Sequence, residues 1–381
     1  MSQTTADRLA DLNPVALNPL VRQVLNDLSG EIEQWHCQPI YGGFGGASDV
    51  HRIYRLRGSA RAAAGRRPWS LILKIIRKVD GDQEPGAWNY WKREALLYPS
   101  GLLDDLAPGL AAPRCYGVVD QSDDETWIWL EDVGEEAGEP WPLERFASAA
   151  ERLGRFNGSY LADRPLPEQP WLNQGDWQIR LQAGERYLAD LRAWRGDALS
   201  QRALPEKNVE PMMQLWAKRA HLFAILDGAP RCFCHNDAYC RNLLVRRNAA
   251  GSAELAVIDW AWAGLSAAGA EAAKLLITSL VYLERPAADM QAMYQVVLDS
   301  YVAGLQASGW RGDETAVRRA YAAACVLLLM EHTWLDLMGL HSGMPIELVE
   351  RYMGHPIGDL CDQHAALTTF VLGVADGLTV D

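Results

Sequence analysis

The chain has 381 residues, 49% of them hydrophobic and 22% charged, which is globular composition with room for two lobes, each with its own core. Its net charge of −13 argues against a nucleic-acid surface. Seven scattered cysteines, an odd number, argue against a secreted disulfide framework and for a reducing cytoplasm. No apolar run follows a basic start at the N-terminus, so no signal peptide is expected. The acidic excess is uneven. Residues 1–130 hold 14 Lys/Arg against 16 Asp/Glu, a balance of −2, and residues 131–381 hold 22 against 33, a balance of −11. An acidic half can attract a cationic ligand, although excess carboxylate also serves solubility alone.

In chain order, residues 5–35 read as helical and polar-faced. "PIYGGFGGASDVHRIYRLRG" follows, with glycines crowding residues 42–46 and alternation after them, the pattern of strand–turn–strand. "GSARAAAGRRP", residues 58–68, reads as a small basic loop. "WSLILKIIRK" is a strong strand, "NYWKREALLYPSGLL" has helical spacing, and "TWIWL", residues 126–130, is another strand. Acids, glycines and a proline in "EDVGEEAGEP" then break the pattern. Amphipathic helices are expected over 143–161, 177–195, 209–227, 268–284, 287–307 and 314–340, with two short β-like runs, "RCFC" and "ELAVID", between them. The apolar run 320–330 is closed by Glu331 and His332. It is shorter than the ~20 residues a bilayer needs, so a buried helix and no membrane contact are expected. The implied architecture is α+β: a small strand-rich lobe with a helix over 1–130, a linker at 131–139 and a larger, mostly helical lobe over 140–381.

Four stretches carry chemistry. Lys74 sits inside "LILKII", and a lysine in a buried strand is costly unless paired. Glu94, in the next helix, is a plausible partner, and an edge-strand lysine reaching solvent is the alternative. "GGFGGAS" would let backbone N–H groups approach phosphates, but it lacks the Lys-Ser/Thr ending of a P-loop. "CHNDAYCRNLLV", residues 234–245, places Asp237 five residues before Asn242, and Asp259 ends the apolar run "LAVID". An Asp at a strand end beside a loop carrying Asp and Asn makes an oxygen cluster of the kind Mg²⁺ prefers. Cys232, Cys234, His235 and Cys240 form a rival sulfur set, but C-x-C-H-x₄-C is not the usual spacing of structural zinc sites, and two alternating strand cysteines also serve as small core residues.

"HNDAYCRN" followed by "VIDW" resembles the catalytic loop, H-x-D-x-x-x-x-N, and the metal-binding Asp of the aminoglycoside phosphotransferase and choline kinase superfamily. Asn236 is closer to the choline kinases, where H-N-D is usual. "LILKII" resembles the strand carrying the nucleotide-binding Lys, "WKREALLY" the helix carrying its Glu, and "IWLEDVG" the strand and linker that hold adenine. The match runs over residues 40–275 in the expected order. It implies a two-lobed protein-kinase-like fold, although "IDW" stands where a protein kinase has D-F-G.

The resemblance also implies roles. ATP and Mg²⁺ are the expected cofactors, and a small-molecule hydroxyl is the acceptor. Lys74, fixed by Glu94, would contact the α- and β-phosphates, and the loop around Gly43, Gly45 and Ser48 would cover them. Backbone groups of Glu131 and Val133 would hold adenine. Asn242 and Asp259 would ligate Mg²⁺, and Asp237 would position the acceptor hydroxyl and take its proton. His235 would brace the loop, Arg241 would be solvated or else neutralise charge near the phosphates, and Glu271, standing where the family often has Asp, would anchor a helix. The −11 balance and fifteen tryptophans suit a cationic acceptor: an amino sugar, an aminoglycoside or an amino alcohol. Glu331, Trp334 and Asp336 share a late helix but not one face, and are not read as a site. A nucleotide-binding module of the same fold without turnover is the alternative.

Overall fold

A computed structural model of the protein describes residues 8–9, 11–40, 51–78, 84–134, 140–247, 251 and 253–378. The chain divides into two units, one of residues 1–82, 95–101 and 113–134 and one of residues 83–94, 102–112 and 135–381.

The first six strands are β1 (Glu31–Ile40), β2 (His51–Ala62), β3 (Gly65–Arg77), β4 (Leu110–Ala111), β5 (Cys115–Ser122) and β6 (Glu125–Glu131). All but β4 form an antiparallel sheet in the first unit, in the order β1-β2-β3-β6-β5. Side chains alternate across a strand. Trp69, Leu71, Leu73 and Ile75 of β3 therefore share one face, where they pack with Leu56, Ala60, Trp127 and Trp129. Helix α1 (Pro14–Leu25) covers that face with Leu17, Val21 and Leu25, spaced four apart. Asn13 caps it by accepting from the Val15 and Ala16 amides at 3.0 and 3.2 Å.

Three local expectations are corrected here. The helix ends at Leu25, and β1 occupies residues expected to continue it, because Asn26 at φ 49° ends the helix in a left-handed cap. Residues 58–68 are a β2–β3 hairpin rather than a loop. "NYWKREALLYPSGLL" supplies only the five-residue helix α2 (Arg93–Leu97) and a short 3₁₀ turn.

In the second unit, helices α3 (Leu143–Ala162), α4 (Trp177–Gln182), α5 (Ala270–Val281), α6 (Met290–Ala307), α7 (Glu314–His341), α8 (Ile346–Met353) and α9 (Ile357–Asp376) surround short strands. The spans expected at 177–195 and 209–227 are each broken into shorter pieces. By length and composition α7 is long and apolar enough to cross a membrane, yet 67% of its most apolar window is buried within the fold. It is the unit's central core helix.

Glycine sets the spacing of α3 against α6. A Cβ on Gly304 would stand 2.1 Å from the Glu151 carbonyl oxygen, and one on Gly154 would stand 2.2 Å from that of Tyr301. The approach lets Asn157 of α3 donate to the Phe233 carbonyl (2.9 Å), while Tyr301 of α6 donates to Asn157 Oδ1 (2.8 Å). Both bonds are buried, and they tie the helix pair to the strand that leads into the polar loop. Replacement of Gly304 by Val should cost about 1–3 kcal/mol or more through overpacking against backbone that cannot yield. Urea denaturation should show this as a lower midpoint at an unchanged slope.

Candidate active site

Strand β7 (Arg231–Cys234) delivers the polar loop, and β8 (Leu243–Arg247) leaves it to pair with β9 (Ala253–Val257). Strand β10 (Gly264–Ala267) pairs antiparallel with β7, placing Gly264 opposite Cys234. Only glycine fits there, since a Cβ would stand 2.1 Å from the Asn173 carbonyl oxygen. The loop therefore starts at a β7 end locked by β10, and Asp259 follows the end of β9.

Within the loop nearly every polar group is assigned. Glu271, fully buried in the first turn of α5, accepts from the His235 amide (2.7 Å) and the Asn236 amide (3.1 Å). Burial pushes its carboxyl up to about 7, against the pull of those amides. Glu271 thus anchors the loop rather than a helix. His235 Nδ1 accepts from the Asp237 amide (3.1 Å), so Nε2 carries the proton and donates to the Ile258 carbonyl (2.9 Å). That ring joins the loop to the residue before Asp259. Asn236 and Asp259 take left-handed backbone, φ 65° and 62°, which Asn and Asp tolerate best among residues with a side chain.

Asn242 Nδ2 donates to the Asp237 carbonyl (2.9 Å) and to Asp237 Oδ2 (3.0 Å). Its amide orientation is then fixed, with Oδ1 on the side away from those bonds. The other Asp237 oxygen, Oδ1, faces Lys274 Nζ at 3.1 Å. Burial raises the Asp237 pKa, Lys274 opposes this, and nearby Asp259 adds to the rise. The structure therefore brings Asp237, Asn242 and Asp259 together. For Mg²⁺ the donor chemistry fits: a carboxylate and an amide oxygen, beside a second carboxylate.

Around this cluster lies a group that sequence reading missed. Arg180 of α4 makes a buried two-pronged ion pair with Glu331 of α7, at 2.6 and 2.7 Å. Its guanidinium lies over the rings of Trp177 and Trp262, 4.8 and 5.0 Å from their centroids. Burial alone would raise the Glu331 pKa, but Arg180 and Lys274 outweigh it and hold the carboxyl at about 2. His332 beside it falls to about 4 through burial and the charge of Lys274. The available signals were Lys274 three residues after Glu271 and Glu331 closing an apolar run. A buried charge in an apolar helix needs a partner.

Other expectations meet mixed outcomes. Arg241 is only partly solvated: it pairs with Glu284 (2.6 Å) and donates to the Tyr352 and Met353 carbonyls at 3.1 and 2.9 Å, tying α8 to the loop. Lys74 lies on β3, the central strand of its sheet, and is 7% exposed, which removes the edge-strand reading. Glu94, in the second unit, is buried, and its carboxylate accepts from the Trp260 amide at 3.3 Å. Beside it, fully buried Arg93 donates to the Trp88, Trp171 and Ala261 carbonyls at 2.8–3.0 Å and also to that of Ala87. The Glu131 amide is already committed to the Arg114 carbonyl at 2.8 Å. Among the described residues Val133 N–H has no such bond. Gly43, Gly45 and Ser48 lie outside the described residues. Of the sulfur set, Cys232 and Cys234 are buried with sulfurs 3.5 Å apart. Among the described residues no group of three or more His, Cys, Asp or Glu could hold a metal ion.

An antiparallel sheet unit, a helical unit, and a His-Asn-Asp loop followed by an Asp after the next hairpin define an α+β fold of the protein-kinase-like phosphotransferase class. The model of the phosphotransferase enzyme family matches residues 64–312, and the chain belongs to that family. Among curated proteins none matches it. Among solved structures it is similar to a microcompartment-associated aminopropanol kinase (16% identity, 94% of this chain and 98% of that one, TM-score 0.54). It is similar also to an aminoglycoside phosphotransferase from Alicyclobacillus acidocaldarius (16% identity, 99% and 98%, TM-score 0.52). A third is an amicoumacin kinase in complex with AMP-PNP, Ca²⁺ and Ami (14% identity, 84% and 88%, TM-score 0.50).

Two outcomes follow from the buried charges. Glu331→Ala should destabilise the fold by about 3–5 kcal/mol, because it strands the Arg180 guanidinium without its carboxylate; chemical denaturation measures this. His332 binds its proton at about 4 when folded against an ordinary 6.5. Its contribution is therefore complete above pH 6.5 and is lost as pH falls from 6.5 to 4, up to about 3 kcal/mol. His332→Asn should flatten the stability profile over that window.

Proposed function

We propose that this chain is a Mg²⁺-dependent kinase that transfers the γ-phosphoryl group of ATP to a hydroxyl of a small molecule. The observation that carries the reading is Asp237: a loop carboxylate held at one oxygen by Asn242 and at the other by Lys274, beside Asp259, in a member of a phosphotransferase family. Phosphoryl transfer asks for alignment and charge neutralisation more than covalent help, and this arrangement is an aligned one.

In the reaction the acceptor oxygen forms a bond to the γ-phosphorus, and the bond from that phosphorus to the β–γ bridging oxygen breaks, releasing ADP. The acceptor's proton passes to Asp237 late in the transfer. His235 and Glu271 hold the loop backbone so that Asp237 does not drift. Asn242 Oδ1 and Asp259 would hold Mg²⁺, whose charge would offset that of the phosphate oxygens. Lys74 would neutralise the α- and β-phosphates, with Glu94 as its counter-charge. Gly43, Gly45 and Ser48 would cover the phosphates, and Val133, with Glu131, would meet the adenine edge. Since the Glu131 amide is taken by Arg114, Val133 is the better donor of the pair.

The acidic balance of residues 131–381 supports an acceptor that bears an amine, such as an amino sugar, an aminoglycoside or an amino alcohol. Two similar solved structures, an aminopropanol kinase and an aminoglycoside phosphotransferase, have names that fit the same class.

Purified protein should turn over Mg·ATP in a screen of amino sugars, aminoglycosides, amino alcohols and neutral sugars. Asp237→Asn should lower that turnover by about 10²–10⁴-fold while the rise in melting temperature on adding Mg·ATP persists. An Asp237→Asn protein as active as an active parent would exclude the role given to Asp237, and a parent that binds Mg·ATP but turns over no acceptor would leave a nucleotide-binding module.

A further inference from the structure

One buried ammonium has no part in the roles the resemblance supplies. Lys274 lies on α5, a helix whose twelve residues are all buried. An ammonium at that depth is costly unless a carboxylate meets it, and the carboxylate it meets is Asp237, at 3.1 Å.

The grip is specific in three ways. Lys274 holds Oδ1, and Asn242 holds Oδ2 at 3.0 Å. With one partner the carboxylate is free to turn about its own axis, whereas with two it is not. Lys274 also shares a helix face with Glu271, three residues earlier, and Glu271 holds the amides of His235 and Asn236. One face of α5 thus fixes both the loop backbone and the loop's carboxylate. Finally, Glu331 feels the charge of Lys274, and Glu331 is itself fixed by Arg180 between two tryptophan rings. The ammonium meets one carboxylate directly, Asp237, and its charge reaches a second, Glu331, which Arg180 holds.

We infer that Lys274 is a positioning residue for phosphoryl transfer: it sets the orientation of the Asp237 carboxylate that receives the acceptor hydroxyl. The inference rests on the kinase reading above. Asn242 alone does not suffice for this task, because that side chain must also face the metal. Lys274 comes from a buried helix and makes its ion pair with Asp237. An acceptor hydroxyl bonded to Asp237 then meets an oxygen already aimed, and an error of about 1 Å in such aim costs on the order of 10²-fold in rate.

The test compares Lys274→Met and Lys274→Arg with the parent, using turnover of Mg·ATP with water and with every acceptor in the screen. Melting temperature and Mg·ATP binding serve as controls. Lys274→Met should lower kcat by about 10²-fold, with KM for ATP within about two-fold of the parent, and Lys274→Arg should recover at least about ten-fold of that loss, since a guanidinium can make the same bond. Parental kcat in Lys274→Met overturns the inference, as does a Lys274→Arg protein that folds and binds Mg·ATP yet stays as slow as Lys274→Met. Either result leaves the kinase reading standing. A parent protein that turns over nothing removes the reaction itself, and both readings fall together.

Discussion

A buried carboxylate accepting two consecutive backbone amides is the interaction from which the rest of the site is hung. Residues 235 and 236 leave a strand and turn sharply, with Asn236 in left-handed backbone. Their amides are buried and have no strand partner, and an unmet buried N–H is costly. Glu271 answers both. The cost is its own desolvation, visible in a carboxyl pushed up to about 7. Once those amides are fixed, the other positions follow in sequence. His235 is set to bridge Asp237 N–H and the Ile258 carbonyl, and Asn242 reaches back to Asp237. A loop of eight residues, with the 3₁₀ turn Cys240–Asn242 at its end, is thereby tied at most of its polar groups.

The motif was legible in the sequence because its chemistry is local. His235, Asp237 and Asn242 lie within eight residues, and Asp259 ends an apolar run, so spacing alone suggested an oxygen cluster. The α3, α5, α6 and α7 helices were legible too, since their apolar periods are long and uninterrupted. What spacing does not reveal is pairing across the chain. Arg180 and Glu331 are 151 residues apart, and nothing near Arg180 marks it as buried. Nothing in "AGAEAAKLL" marks Lys274 as the partner of Asp237, which lies far back in the chain. The 177–195 span kept its apolar pattern but breaks into pieces, with Gly184 pressed against the Trp334 ring. Tertiary contact outweighed local propensity there.

Lys74 shows the opposite case, where topology decided what sequence left open. Its apolar neighbours suited either a solvent-reaching edge or a buried centre. The sheet order puts β3 third of five, between β2 and β6. A lysine in the middle of a sheet has no edge to escape over. By the strand alternation it also stands on the face opposite the α1 core, with Ser70 and Ile72 rather than with Leu73 and Ile75. Its neighbours on that face are Ile72, Ile76, Ile128 and Leu130, so the ammonium is buried among apolar side chains outside the core that α1 covers.

The acidic excess of the second unit has to be reconciled with what surrounds Asp237. A balance of −11 over 251 residues describes a far field, and within a few ångströms the bookkeeping differs. Glu331 is matched by Arg180, Glu284 by Arg241 and Asp237 by Lys274. Buried ions interact strongly at short range and are screened little by salt, whereas exposed charges act over about 8–10 Å and fade beyond it. The unpaired acidity is thus a property of the surface, suited to drawing a cation toward the protein. Around Asp237 the charges stand in matched pairs, and Arg180 lies over the rings of Trp177 and Trp262. On the proposed kinase reading, a change in surface charge would therefore alter how fast a cationic acceptor arrives far more than which acceptor is taken.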